Sequence, residues 1–143
     1  MECILEKITS IKEIYISSEE FCKVNAQSCD CLNLIIDTGE YMVSVEYFKG
    51  GDYWWMNLYE ITEFEKDEYK YKVAMNGEVF KLEKVNRDHD GFINALKFKY
   101  NDVFLFIFAD EYNLILTKSK YDLLDEIGEL CDEEAKLTII YNT

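Results

Sequence analysis

Proline is absent from all 143 residues, histidine occurs once (His89) and arginine once (Arg87). A single histidine leaves little material for a histidine-based catalytic triad or a multi-histidine metal site. Five of the six glycines fall at turns, and no glycine-rich loop of the phosphate-cradling kind is present. No apolar run approaches the roughly 18 residues that a membrane-spanning helix needs. The longest, Val103-Phe104-Leu105-Phe106-Ile107-Phe108-Ala109, suits a buried strand. Cationic residues are scarce: 15 Lys and Arg stand against 29 Asp and Glu, for a net charge of −14. Nothing in that balance supplies the basic footprint that binds nucleic acid or an anionic membrane. The first residues, Met1-Glu2-Cys3-Ile4-Leu5-Glu6, lack a signal-peptide pattern. The expected compartment is therefore the cytoplasm, where the five cysteines stay free thiols.

Hydrophobic residues make up 49% of the chain and aromatics 15%, enough for a real core and too much for a disordered chain. One domain over residues 1–143 is expected. Half of the net charge lies in one stretch, Asp122-Leu123-Leu124-Asp125-Glu126-Ile127-Gly128-Glu129-Leu130-Cys131-Asp132-Glu133-Glu134, which holds no Lys or Arg. Leu123, Leu124, Ile127 and Leu130 recur at helical spacing, with Asp122, Asp125, Glu129 and Asp132 opposite them, so a helix is expected here. Its late acids oppose the helix dipole, each at a cost of about 0.3–1 kcal/mol. A charged face held against its own stability suits a basic partner; an ordinary solvated face is the plainer alternative.

The rest of the pattern is mainly β. A helix near Ile4–Ile11 leads into a strand near residue 12, and residues 17–31 read as a polar loop or short helix. Residues 32–36 and 41–47 flank Asp37-Thr38-Gly39-Glu40 as a hairpin. Gly50-Gly51-Asp52 breaks the chain before the alternating strand from Tyr53 to Tyr59. Residues 71–75 and 78–82 flank Asn76-Gly77, a pair suited to a type I′ hairpin turn because both positions need positive φ. Residues 93–100, 103–108 and 112–117 form a meander, and residues 137–141 close the chain as a strand. The expected fold class is α+β: a mainly antiparallel sheet of hairpins and meander, with one or two helices packed on it. A β-sandwich or half-barrel is the alternative.

Four groups of residues offer chemistry. Cys22, Cys29 and Cys31, with His89, make four zinc ligands by count, but the tight two-residue knuckle is missing and plain thiols explain them. Asn86-Arg87-Asp88-His89-Asp90-Gly91-Phe92-Ile93 resembles the first eight positions of an EF-hand calcium loop. The match then fails, with Lys97 where the bidentate Glu belongs, and an Asp-rich turn capping its own backbone is the simpler account. Asp110-Glu111 reads as a turn before it reads as an acid–base pair. Tyr53, Trp54 and Trp55 are more informative. On a strand the two indoles point to opposite faces, so both are core only if both faces are covered; core burial of both is the expected arrangement, and a binding anchor in one of them the alternative.

In overall character along the whole chain, without a diagnostic motif, this small acidic domain resembles the immunity proteins of bacterial toxin systems, including contact-dependent growth inhibition. The resemblance implies a non-enzymatic inhibitor, without cofactor or metal, that neutralises a cognate and often basic nuclease toxin. Asp122, Asp125, Glu126 and Glu129 would then supply charge complementarity, and Tyr53, Trp54 and Trp55 the apolar anchor. The competing expectation is a small-molecule or metal-binding domain, perhaps a hydrolase of unfamiliar type, built on Cys22, Cys29, Cys31, Asp88, His89 and Asp90.

Overall fold

The computed structural model describes residues 4–16, 28–63, 69, 71–120 and 139–141. Its strands are β1 (Ser10–Ile11), β2 (Glu13–Ile16), β3 (Ser28–Cys31), β4 (Asn33–Asp37), β5 (Met42–Gly50), β6 (Tyr53–Ile61), β7 (Tyr71–Val73), β8 (Phe80–Arg87), β9 (Ile93–Tyr100), β10 (Val103–Ala109), β11 (Leu114–Ser119) and β12 (Ile139–Tyr141). They form two open six-stranded sheets, ordered β1-β8-β9-β10-β11-β3 and β12-β7-β2-β4-β5-β6. Every pairing is antiparallel. The sheets share one core: Leu96, Phe98, Leu105, Ile107, Leu114 and Leu116 from the first meet Ile14, Ile16, Leu34, Ile36, Val43, Val45 and Met56 from the second.

Antiparallel hairpins and the meander expected from the pattern are present; the described residues do not supply the one or two helices. Among the described residues the only helical element is a four-residue 3₁₀ turn, Ile4–Lys7. The spacing that reads as a helix near Ile4–Ile11 ahead of a strand has another cause. Ile11 enters the core from the first sheet, the chain changes sheet at Lys12, and Ile14 and Ile16 enter from the second. The change of sheet inserts a residue into the strand alternation and imitates a period near three. Leu32 repeats the device between β3 and β4: Cys31 is buried on one side of it, and Leu34 on the other. Residues 28–31 are accordingly a strand, not the loop or short helix expected. The acidic stretch 122–134, with Asp122, Asp125, Glu126 and Glu129, lies outside the described residues, as do residues 17–27.

A second correction concerns Asn76-Gly77. Both residues have positive φ, +54° and +79°, and the Glu78 N–H donates to the Met75 carbonyl at 2.9 Å, so the tight turn forms as its residues demand. The flanking strands do not pair with each other. β7 joins β2 and β12 in one sheet, and β8 joins β1 and β9 in the other. The turn is a crossover between layers rather than a hairpin. The half-barrel also does not form, since both sheets have free-ended strand orders; two sheets about one core is the closer of the alternatives.

The meander is buried on both faces. Leu105 and Ile107 face the shared core, while Phe106 and Phe108 form a second cluster with Ala95. That explains the unbroken apolar run of β10, because alternation appears only where one face meets water. Lys97, 6% exposed on that second face, is accommodated by an ion pair with Glu83 at 2.7 Å and by the Phe104 ring 4.6 Å from its ammonium. Glu83 is the extra residue at the register shift between β8 and β9, a bulge beside the Lys97 position.

Candidate functional site

Three hairpin tips converge at one end of the molecule. The β5–β6 tip is the two-residue loop Gly51-Asp52, with Gly51 at φ +62°. Glycine adopts that conformation without the clash a side chain would bring. Pairing then runs without interruption from Gly50↔Tyr53 to Met42↔Ile61, which sets Phe48 directly across from Trp55. Trp54 and Trp55 point to opposite faces. Trp54 packs against the shared core and Trp55 does not, so the expectation that both are core residues is corrected: neither is fully buried.

The Trp55 indole lies over Gly50, where a Cβ would approach ring atoms to 3.2 Å, so the missing side chain makes room for the ring. It stacks with Phe48 at 6.2 Å and 15° between planes, and with Phe92 at 4.9 Å and 22°. Phe92 comes from the other sheet, on the β8–β9 tip. There the Asp88 carboxylate accepts the Asp90 and Phe92 N–H groups at 2.9 and 3.0 Å, and Arg87 donates to the Gly91 carbonyl at 2.9 Å. His89 on the same tip meets Tyr53 edge-on at 5.4 Å. The β10–β11 tip repeats the design: the Asp110 carboxylate accepts the Tyr112 and Asn113 N–H groups. The Tyr47 hydroxyl lies 2.8 Å from both the Asp110 and Glu111 carbonyls and ties this tip to β5. Burial, reinforced by the Asp110 and Glu111 charges, pushes the Tyr47 phenol above its usual pKa.

The result is a partly exposed aromatic surface of Phe48, Tyr53, Trp55 and Phe92, with Phe48 39%, Phe92 47% and Tyr53 52% exposed. These three are half of the large hydrophobic residues exposed among the described ones, so exposure is concentrated rather than scattered. Asp52, Asp90 and Glu111 on the tips are exposed and Asp88 and Asp110 partly so, which gives the surface an acidic surround.

The other candidates are placed elsewhere or are occupied. The Asp88 carboxylate of the calcium-like loop is engaged by its own backbone, and Asp110-Glu111 shapes a turn. Cys31 lies in the core, whereas His89 is at the tip surface, and Cys22 lies outside the described residues. Among the described residues no group of three His, Cys, Asp or Glu side chains is arranged to hold a metal ion. A groove of about 590 Å³ runs along Lys12, Glu13, Asp37, Lys72, Asn76 and Glu78. Charges within it are largely matched, with Lys72 to Glu13 at 3.5 Å and Glu78 to Lys118 at 3.4 Å.

Of the site residues expected from sequence, Tyr53 and Trp55 share the tip surface, Trp54 leaves it for the core side, and the four helix acids are outside the described residues. Phe48, Phe92 and His89 were not singled out as its members. Phe48 was within reach, since the loop at Gly51-Asp52 implies its register with Trp55. Phe92 was not, because it arrives from the other sheet. Comparison of the chain with protein-family models, curated proteins and solved structures finds no match.

Proposed function

We propose that this chain is a non-enzymatic immunity protein that binds and neutralises a cognate toxin, a basic protein of nuclease type, in the cytoplasm. The observation that carries the proposal is the aromatic surface at the hairpin tips, on a chain of net charge −14. Trp and Tyr anchors of this kind dominate binding energy at protein interfaces, and acidic surroundings steer a basic partner and raise its association rate. Tyr53 and Trp55 serve as anchors, and Trp54 supports them from the core side. The acids Asp122, Asp125, Glu126 and Glu129 extend the acidic surround in this proposal on the strength of their sequence pattern.

The proposal requires a toxin-like domain encoded beside this gene, and the test is co-expression with that neighbour's product. The wild-type chain should restore growth and bind the purified domain. Truncating Trp55 to Leu should weaken binding by about 2 kcal/mol or more, as for an interface hot spot. No protection by the wild-type chain, or undiminished binding by a folded Trp55→Leu variant, would reject the proposal.

A further inference from the structure

The planes of Phe48, Trp55 and Phe92 are nearly parallel, within 15° and 22° of the central indole. Ring walls set at right angles would suit a compact ammonium, which is attracted from several sides at once. The rings lie against one another, 4.9 and 6.2 Å between centroids, so they leave no slot between them; they offer flat outer ring face instead, on Phe48 and Phe92, both partly exposed, and a flat face suits a flat cation. A guanidinium is planar, weakly hydrated and stacks on aromatic faces. The charge beside the rings fits the same occupant. Asp52 adjoins Tyr53 at one tip, and Asp90 lies 3.4 Å from His89, which touches Tyr53, at the other. Both acids are exposed, and neither accepts the backbone bonds that engage Asp88 and Asp110. Within the same end of the molecule a cation already rests on an exposed ring: the Lys49 ammonium is 5.6 Å from the Tyr112 centroid. The chain's own arginine, Arg87, is turned to Gly91 and holds the tip in shape.

We propose that the Phe48–Trp55–Phe92 stack is a docking site for an arginine side chain of a basic protein partner, with Asp52 and Asp90 as its counter-charges. The immunity proposal enters only in naming that partner a protein; the preference for a guanidinium rests on the ring geometry. The site recognises arginine over lysine because only the planar cation can lie flat on an exposed outer ring of the stack, Phe48 or Phe92, while its edge meets a carboxylate.

The probe is a capped tetra-arginine peptide, compared with capped tetra-lysine and tetra-glutamine peptides, titrated into the wild-type chain. The two tryptophans give two indole N–H resonances, and Trp54 is an internal control. The arginine peptide should move the Trp55 resonance and leave Trp54 nearly still. It should bind about fivefold more tightly than the lysine peptide, the scale of one cation–π contact. Asp52→Asn together with Asp90→Asn, both exposed and safe for folding, should remove most of the binding. Phe92→Leu should remove the preference for arginine. A stationary Trp55 resonance, or equal affinity for the lysine peptide, overturns the proposal. The two proposals fail separately: arginine docking on the stack with toxin binding indifferent to Trp55→Leu would remove the toxin from this surface and leave the arginine site standing.

Discussion

At the scale of single residues, backbone conformation and proton affinity give the sharpest tests. Gly77 sits at φ +79° with nothing within 4 Å of where a Cβ would stand. Space is available, so any penalty there is conformational. Gly77→Val should lower stability by about 1–2 kcal/mol through the cost of holding a β-branched residue at positive φ. A melting temperature equal to wild type would refute this. Three phenols carry a pH signature. Burial and the Glu13 carboxylate hold Tyr15 well above the usual tyrosine range, burial and Asp110 raise Tyr47, and the hydrogen bond to Glu46 raises Tyr59. Below about pH 10 these groups are protonated folded or unfolded, and their stabilisation is fully present. Above it the unfolded chain releases phenolic protons that the folded chain retains, so stability falls as pH rises. Urea titrations from about pH 8 to about pH 11 should show that fall, and Tyr15→Phe should make it shallower.

At the scale of elements, the hairpin tips depend on aspartates that bind their own backbone. Asp88→Ala leaves two N–H groups on the β8–β9 tip without their acceptor, at a cost of about 1.5–3 kcal/mol if both are lost from water as well. Because one of those N–H groups belongs to Phe92, the variant should also loosen the ring on Trp55. A red shift of tryptophan emission beside a lowered melting temperature is the expected pair of readings. The elements differ in how well the sequence announces them. The pair β4–β5 and the meander β9–β10–β11 are local, and their turn residues and alternation were sufficient; β5–β6 is as local, but Gly50-Gly51-Asp52 reads only as a break in the chain. Asn76-Gly77 declared its turn correctly and said nothing of which sheet each flank would join, because dihedral preference is local and strand partnership is not. Lys12 and Leu32 were harder still, since a change of sheet leaves no mark except a shifted alternation. At the site, Trp55 was visible as an anchor, while its partner Phe92 depended on how two sheets meet.

At the scale of the whole molecule, an excess of fourteen negative charges works against compactness. Screening is nearly complete beyond about 8 Å at physiological ionic strength, so added salt should relieve self-repulsion. The melting temperature should rise as sodium chloride increases from about 20 to about 200 mM, before any general salting-out effect. Association with a basic partner should show the opposite trend and slow over the same range. A melting temperature that falls with salt would mean that the internal pairs, Lys97–Glu83 and Lys118–Glu78 among them, outweigh the repulsion.

The single-residue crossings at Lys12 and Leu32 have a consequence for the order of events on the ribosome. They distribute the first strands between both sheets, and those strands find their neighbours far along the chain. Ser10 pairs with Lys81, and Cys31 with Leu114. The first sheet therefore stays incomplete until Leu114 has emerged, and its long loops must close against entropy before pairing rewards them. Maturation is consequently a late, largely all-or-none event, on the millisecond-to-second scale of distant β topologies. Under the immunity proposal, a cell would need a standing stock of finished molecules, because half-made chains would offer no protection.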